Sequence, residues 1–224
     1  MKNQRSFALT AGIALILMAL TAGFSFGYVQ NTLIVPTDAL KTLEIVRAQS
    51  GLFMAGVGGW VLIFVLDLLV AWALFHYLKS AGQGLAQLMA WTRVIYTLFL
   101  GAGILDLFAA TRLIGVEGPE AQQVLALIQS FSTDWSRGLI IFGLHLLLLG
   151  ILLLKSRYAH WFFGALLSVA GVCYMLVHTA RWLLPEQYSL INSLEMILSV
   201  PMTLGELGFA VWLLVKGGKN GNRK

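Results

Sequence analysis

Six apolar runs govern what this chain can become. They cover residues 7–29, 51–78, 85–113, 135–154, 161–184 and 191–215, and each is near the ~20 residues of helix that cross ~30 Å of hydrocarbon. Lipid offers no partner to an unpaired N–H or C=O, so runs of this length are expected to be helices. The predicted fold class is therefore all-α: a polytopic membrane protein, a six-transmembrane-helix bundle forming one domain over residues 1–224. Composition points the same way, with 58% hydrophobic and 11% charged residues, far from the balance of a soluble domain. A net charge of +5 would suit nucleic acid only with a basic groove and interleaved aromatics on a soluble face. Here the basic residues flank the runs, so membrane lipids are the expected partners and nucleic acid is not. The single cysteine, Cys173, lies within an apolar run and leaves no intrachain disulfide or paired-cysteine motif.

The first run follows Met1-Lys2-Asn3-Gln4-Arg5 and has Ala22, Gly23 and Ser25 near its end, so it also fits a signal peptide. We expect it to be retained as a span. Pro36, Pro119 and Pro185 fall in or beside connections, whereas Pro201 lies inside the sixth run, where a kink or local unwinding is expected. One set of span ends collects Lys2, Arg5, Lys79, Lys155, Arg157, Lys216, Lys219, Arg223 and Lys224 without an acidic residue. By the positive-inside rule that side is cytoplasmic, which puts both termini in the cytoplasm and the protein in a bacterial inner membrane. The other side mixes Lys41 and Arg47 with Asp38, Glu44, Glu117, Glu120, Asp134 and Glu186.

Two connections on that outer side are long. After Gly118-Pro119, the residues Val124, Leu127, Ile128 and Phe131 recur at helical spacing and predict a short amphipathic helix on the outer interface. Residues 37–49, with Leu40, Leu43 and Val46, predict a second. Gly51, Ala55 and Gly59 form a small-residue stripe that offers a docking face to a second copy or another membrane protein, and Gly164, Ser168 and Gly171 form another. Trp60, Trp91, Trp135, Trp161, Trp182 and Trp212 are expected in interfacial belts.

Ionisable residues inside spans should face one another or water, because each costs about 2.5–3.5 kcal/mol at the bilayer centre. Counted at ~1.5 Å per residue from the span ends, Asp67, His145 and Glu206 all come near the midplane, one from each of three helices. Nearer the outside lie Asp106, Arg112, Arg137, His178, Arg181 and Glu195. Glu195 and Glu206 are eleven residues apart, which returns to nearly one direction at ~100° per residue, and His178 and Arg181 share a face with Tyr174. An outer-leaflet cavity lined by Asp106, Arg137, His178, Arg181 and Glu195 is expected, while Arg93 is expected to snorkel to inner-leaflet phosphates. Asp67, His145 and Glu206 have the ligand types of a non-haem iron, manganese or zinc site. Three readings stay open for them: a divalent-metal or catalytic site, a proton or ion pathway, and hydrogen bonds that fix helix packing. Haem ligated by His145 with His178 or His76 is disfavoured by their different depths.

Three segments carry a resemblance: Phe142-Gly143-Leu144-His145 followed by Gly150, the stretch Gly164-Ala165-Leu166-Leu167-Ser168 through Gly171 to Tyr174, and Gly205-Glu206-Leu207-Gly208 through Trp212 to Gly217. In these the chain resembles a bacterial family of multi-span membrane proteins known as the domain of unknown function 4386. The resemblance implies no activity, only that His145 and Glu206 sit in the recurring motifs. The function expected is an integral membrane protein that binds a metal or small lipophilic ligand at the buried cluster, an intramembrane enzyme being one form of that reading. The rivals are a proton- or ion-coupled transporter and an accessory subunit of a membrane complex.

Overall fold

The computed structural model describes residues 2–116, 120–156, 159 and 161–219. Glu117, Gly118, Pro119, Arg157, Arg223 and Lys224, which entered the reading of loops and charges, lie outside the described residues. Seven helices make up the fold among the described residues: α1 (Lys2–Ala22), α2 (Ala39–Ala48), α3 (Ser50–Leu78), α4 (Gln83–Ile114), α5 (Ala121–Ser156), α6 (Trp161–Leu183) and α7 (Tyr188–Val215). No strand occurs among the described residues. Helix α1 continues through a π-helical stretch, Gly23–Gln30, to Leu33. Among the described residues six helical segments are long and apolar enough to cross a membrane, Gln4–Leu33, Ser50–Ala81, Gln83–Ile114, Ala121–Ser156, Trp161–Leu183 and Ser189–Val215. The protein is therefore an all-α polytopic membrane protein.

Two compact units divide the chain. The first comprises Met1–Leu17, Leu66–Thr97 and Arg137–Lys224, and the second Met18–Val65 and Leu98–Ser136. In the first unit α5 and α6 pack with their backbones nearly touching. A Cβ on Gly171 would lie 2.5 Å from the Gly143 carbonyl oxygen, and one on Gly150 would lie 2.6 Å from that of Gly164. The small residues of α6 thus meet small residues of α5, the arrangement that lets dispersion hold helices together where lipid supplies no hydrophobic drive. Pro201 sits inside α7. Arg5 secures that helix at its far end, donating from Nη1 to the carbonyls of Leu213 (3.0 Å) and Gly217 (2.7 Å) and from Nη2 to that of Leu214 (2.5 Å). The last carbonyls of a helix carry partial negative charge and lack intrahelical donors, so a guanidinium answers both needs.

In the second unit a core of Val29, Leu43, Phe53, Trp60, Ile104 and Phe131 gathers α1 to α5. Helix α2 starts at Asp38, whose side chain accepts from the Lys41 amide at 2.9 Å, an N-cap of the usual kind. Its buried face is Ala39, Thr42, Leu43 and Val46, whereas Leu40 is 71% exposed. The expected stripe through Leu40 is therefore turned by about one residue. The amphipathic helix expected after Gly118-Pro119 is the start of α5 rather than a separate element: Val124, Ile128 and Phe131 are buried on a helix that runs unbroken from Ala121 to Ser156. Trp60 is also a core residue, 4.9 Å from Phe131 and 4.8 Å from Trp135 between ring centroids, and Trp212 is buried. Trp91, Trp161 and Trp182 are exposed, as a belt requires. Of the stripe Gly51, Ala55 and Gly59, Gly59 already faces Ser25 of the chain's own α1.

Candidate functional site

Asp67 of α3, Arg93 of α4 and His145 of α5 meet inside the first unit, none more than 1% exposed. Arg93 Nη2 stands 2.6 Å from Asp67 Oδ1 as an ion pair. Its Nη1 is 3.1 Å from His145 Nε2, and His145 Nδ1 is 2.8 Å from the Met89 carbonyl oxygen. A guanidinium can only donate and a carbonyl can only accept, so the His145 tautomer follows: Nδ1 carries the proton and Nε2 accepts from Arg93. The guanidinium also lies 5.3 Å from the centroid of Phe142, within reach of a cation–π attraction. Carboxylate and guanidinium balance in charge, and the imidazole adds a directed acceptor.

Glu206 of α7 is bound differently. Its Oε1 accepts from the Tyr174 hydroxyl of α6 at 2.8 Å. The Phe142 ring connects the two groups, edge-on to Tyr174 at 5.3 Å and stacked on His145 at 5.7 Å. Arg93 and Glu206 both border a cavity of ≈10 Å³, lined also by Leu15, Leu74, Leu146, Leu149, Leu167 and Phe209. That is about the volume one water needs.

Beyond Tyr174, on the faces that α6 and α7 share, the His178 ring stacks on the Tyr174 ring at 5.9 Å. Arg181 pairs with Glu195 and donates to Asn192 Oδ1 at 2.8 Å. His178 is buried, whereas the Arg181 and Glu195 side chains are 30% and 32% exposed. Glu195 and Glu206 thus each reach a residue of α6, Arg181 and Tyr174 respectively. Arg137 is exposed on α5, and Asp106 belongs to the second unit, half-buried on α4.

Two expectations are overturned. Arg93 does not snorkel, because it is 1% exposed and committed to Asp67 and His145. The metal set of Asp67, His145 and Glu206 does not assemble, since among the described residues no three His, Cys, Asp or Glu side chains gather as a metal ion would require. Arg93 is the physical reason. It takes up the His145 lone pair and the Asp67 carboxylate and brings a positive charge where a cation would sit. Both nitrogens of His145 are engaged, so the ring has no lone pair for a haem iron either. In the second unit a cavity of ≈20 Å³ opens between Ser25, Val29, Phe53, Trp60 and Phe131, about the space of one water.

A relative from Archaeoglobus fulgidus, described as "Uncharacterized protein", is 27% identical over 161 residues, which cover 72% of this chain and 83% of the relative. No solved structure matches. The profile of the family described as Domain of unknown function (DUF4386) matches residues 10–217, from α1 to the end of α7, and the chain belongs to that family.

Proposed function

We propose that this is a proton-coupled transporter of the cytoplasmic membrane, with both termini inside, in which Glu206 takes up and releases the proton. One observation carries the reading. Three carboxyls lie within the spans of the first unit; Asp67 faces Arg93 and Glu195 faces Arg181, whereas Glu206 is held by the neutral Tyr174 hydroxyl. A carboxylate bound to an arginine is fixed in its charged form by its partner, while one bound to a phenol can be neutral or charged without breaking an ion pair. Intramembrane acids of that kind serve as proton carriers in pumps and transporters. Asp67, Arg93 and His145 then form a rigid, charge-balanced anchor beside the carrier. The orientation is supported by Lys79, Lys155, Lys216 and Lys219, which flank the spans on one side with no acid among them.

The test is proton uptake into liposomes loaded with a pH-sensitive dye, under an imposed pH gradient. Wild type should carry protons and Glu206→Gln should not, with both proteins monodisperse. Equal rates in the two, zero included, would overturn the proposal.

A further inference from the structure

We infer that, in the conformation described, Glu206 exchanges its proton with water at one end of the α6/α7 pair, the end bearing Arg181, Asn192 and Glu195, and that the Tyr174 hydroxyl is the last group on the way; release to the other side takes place from a second conformation. The inference rests on Glu206 being the proton carrier. It comes from the asymmetry of the face that α6 and α7 share. From Glu206 toward the α6–α7 turn, that face carries the Tyr174 hydroxyl, the buried His178 ring, and then the part-exposed Arg181, Glu195 and Asn192. From Glu206 the other way it is apolar. Phe163 packs on Trp212 at 6.0 Å, and Phe209, Ala210 and Leu213 are buried. A proton cannot cross the second half without polar groups or water to carry it, whereas the first supplies polar groups at successive depths.

The final step balances as follows. A hydronium arriving from the Arg181 end gives its proton to the Tyr174 oxygen while the Tyr174 hydroxyl proton passes to Glu206 Oε1 along the existing 2.8 Å hydrogen bond. Tyrosine is neutral before and after, the carboxylate becomes a carboxylic acid, and the hydronium becomes water. Arg181 and Glu195 are positioning residues at the mouth: their mutual pairing keeps the entrance polar without placing a net charge on it.

Infrared spectroscopy of the full chain in lipid nanodiscs tests this directly. The carboxylic C=O band of Glu206 is identified by its loss in Glu206→Gln, and its shift after rapid mixing with D2O reports proton exchange. Tyr174→Phe should slow that shift by about tenfold or more, on the scale that a positioned proton-transfer group contributes. A purely structural role for Tyr174 predicts the opposite sign, because losing a hydrogen bond loosens the site and speeds exchange. Replacing Arg181 and Glu195 together by Met and Leu should also slow it, by plugging the mouth with apolar volume, and this second variant carries the test if Tyr174→Phe does not fold. Exchange at the wild-type rate, or faster, in whichever variant folds overturns the route while leaving Glu206 as the carrier. A wild-type spectrum with no band that Glu206→Gln removes, at any pH, sinks the carrier itself.

Discussion

Removing one partner of the Asp67–Arg93 pair should be worse than removing both. Asp67→Asn leaves the buried guanidinium without the carboxylate that it faces, and breaking a buried pair in this way costs about 3–5 kcal/mol. Replacing Asp67 and Arg93 together by Leu and Met removes the uncompensated charge and should recover most of that loss. Thermal unfolding in mild detergent distinguishes the cases; a double variant as unstable as Asp67→Asn would mean that the pair is not the source of the cost. The sequence made part of this site visible. Depth along the apolar runs placed Asp67 and His145 at one level, and the eleven-residue spacing placed Glu195 and Glu206 on one face of α7. Arg93 was misjudged, although it stands nearly as deep from the inner end of its run as His145 does from the end of its own. The long arginine side chain spans several ångströms, so backbone depth does not tell whether its head group turns to lipid phosphate or inward to an acid. The Met89 carbonyl, which aims the His145 ring, carries no sequence signal, because any backbone would look the same, and the segment Phe142-Gly143-Leu144-His145 does not tell that the Phe142 ring meets Arg93.

Arg5 links two helices that are distant in sequence, and the consequence is testable at the end of α7. Arg5→Ala leaves the carbonyls of Leu213, Leu214 and Gly217 without their charged donor, at about 1.5–3 kcal/mol for hydrogen bonds to a charged group. Hydrogen exchange should show the last turn of α7 losing protection while the α5–α6 contact keeps it; unchanged protection at residues 213–217 would refute the cap. Gly218 lies just beyond in a left-handed conformation, φ +70°, where a Cβ would stand 2.7 Å from the Arg5 Cα, so this turn accepts glycine and little else. Helix identities were legible throughout, because length and apolarity leave no alternative inside lipid. Helix ends were not. The stripe of Val124, Ile128 and Phe131 reveals one buried face without saying what buries it, and nothing between Ala121 and Trp135 breaks a helix. That stretch therefore reads equally as a separate interfacial helix or, as observed, as the first turns of α5. The π-helical stretch Gly23–Gln30 left no mark in the sequence beyond two glycines, which are common in membrane helices anyway.

For the whole molecule the strongest determinant is where the positive charge lies. Lys79 sits in the short link between α3 and α4, Lys155 at the end of α5, and Lys216 and Lys219 just past α7. These connections are short and close to the span ends, the places where lysine and arginine set orientation. The links at the other ends carry Asp38, Glu44, Glu120 and Glu186 beside Lys41 and Arg47, and acidic residues contribute little to orientation. An alkaline phosphatase domain, active only after export, should be silent when fused after Lys219 and active when fused after Glu186, with a fluorescent protein giving the reverse. The opposite result at both sites would turn the molecule over, so that the polar mouth at Arg181 and Glu195 faced the cytoplasm and Glu206 took its proton from inside. Charge reversal checks the cause as well as the outcome. Lys79→Glu together with Lys155→Glu removes two of the cations on this side while leaving every helix intact, and a mixed population of orientations is expected from the two fusions. A population as uniform as wild type would show that something other than the positive charge on this side fixes the orientation.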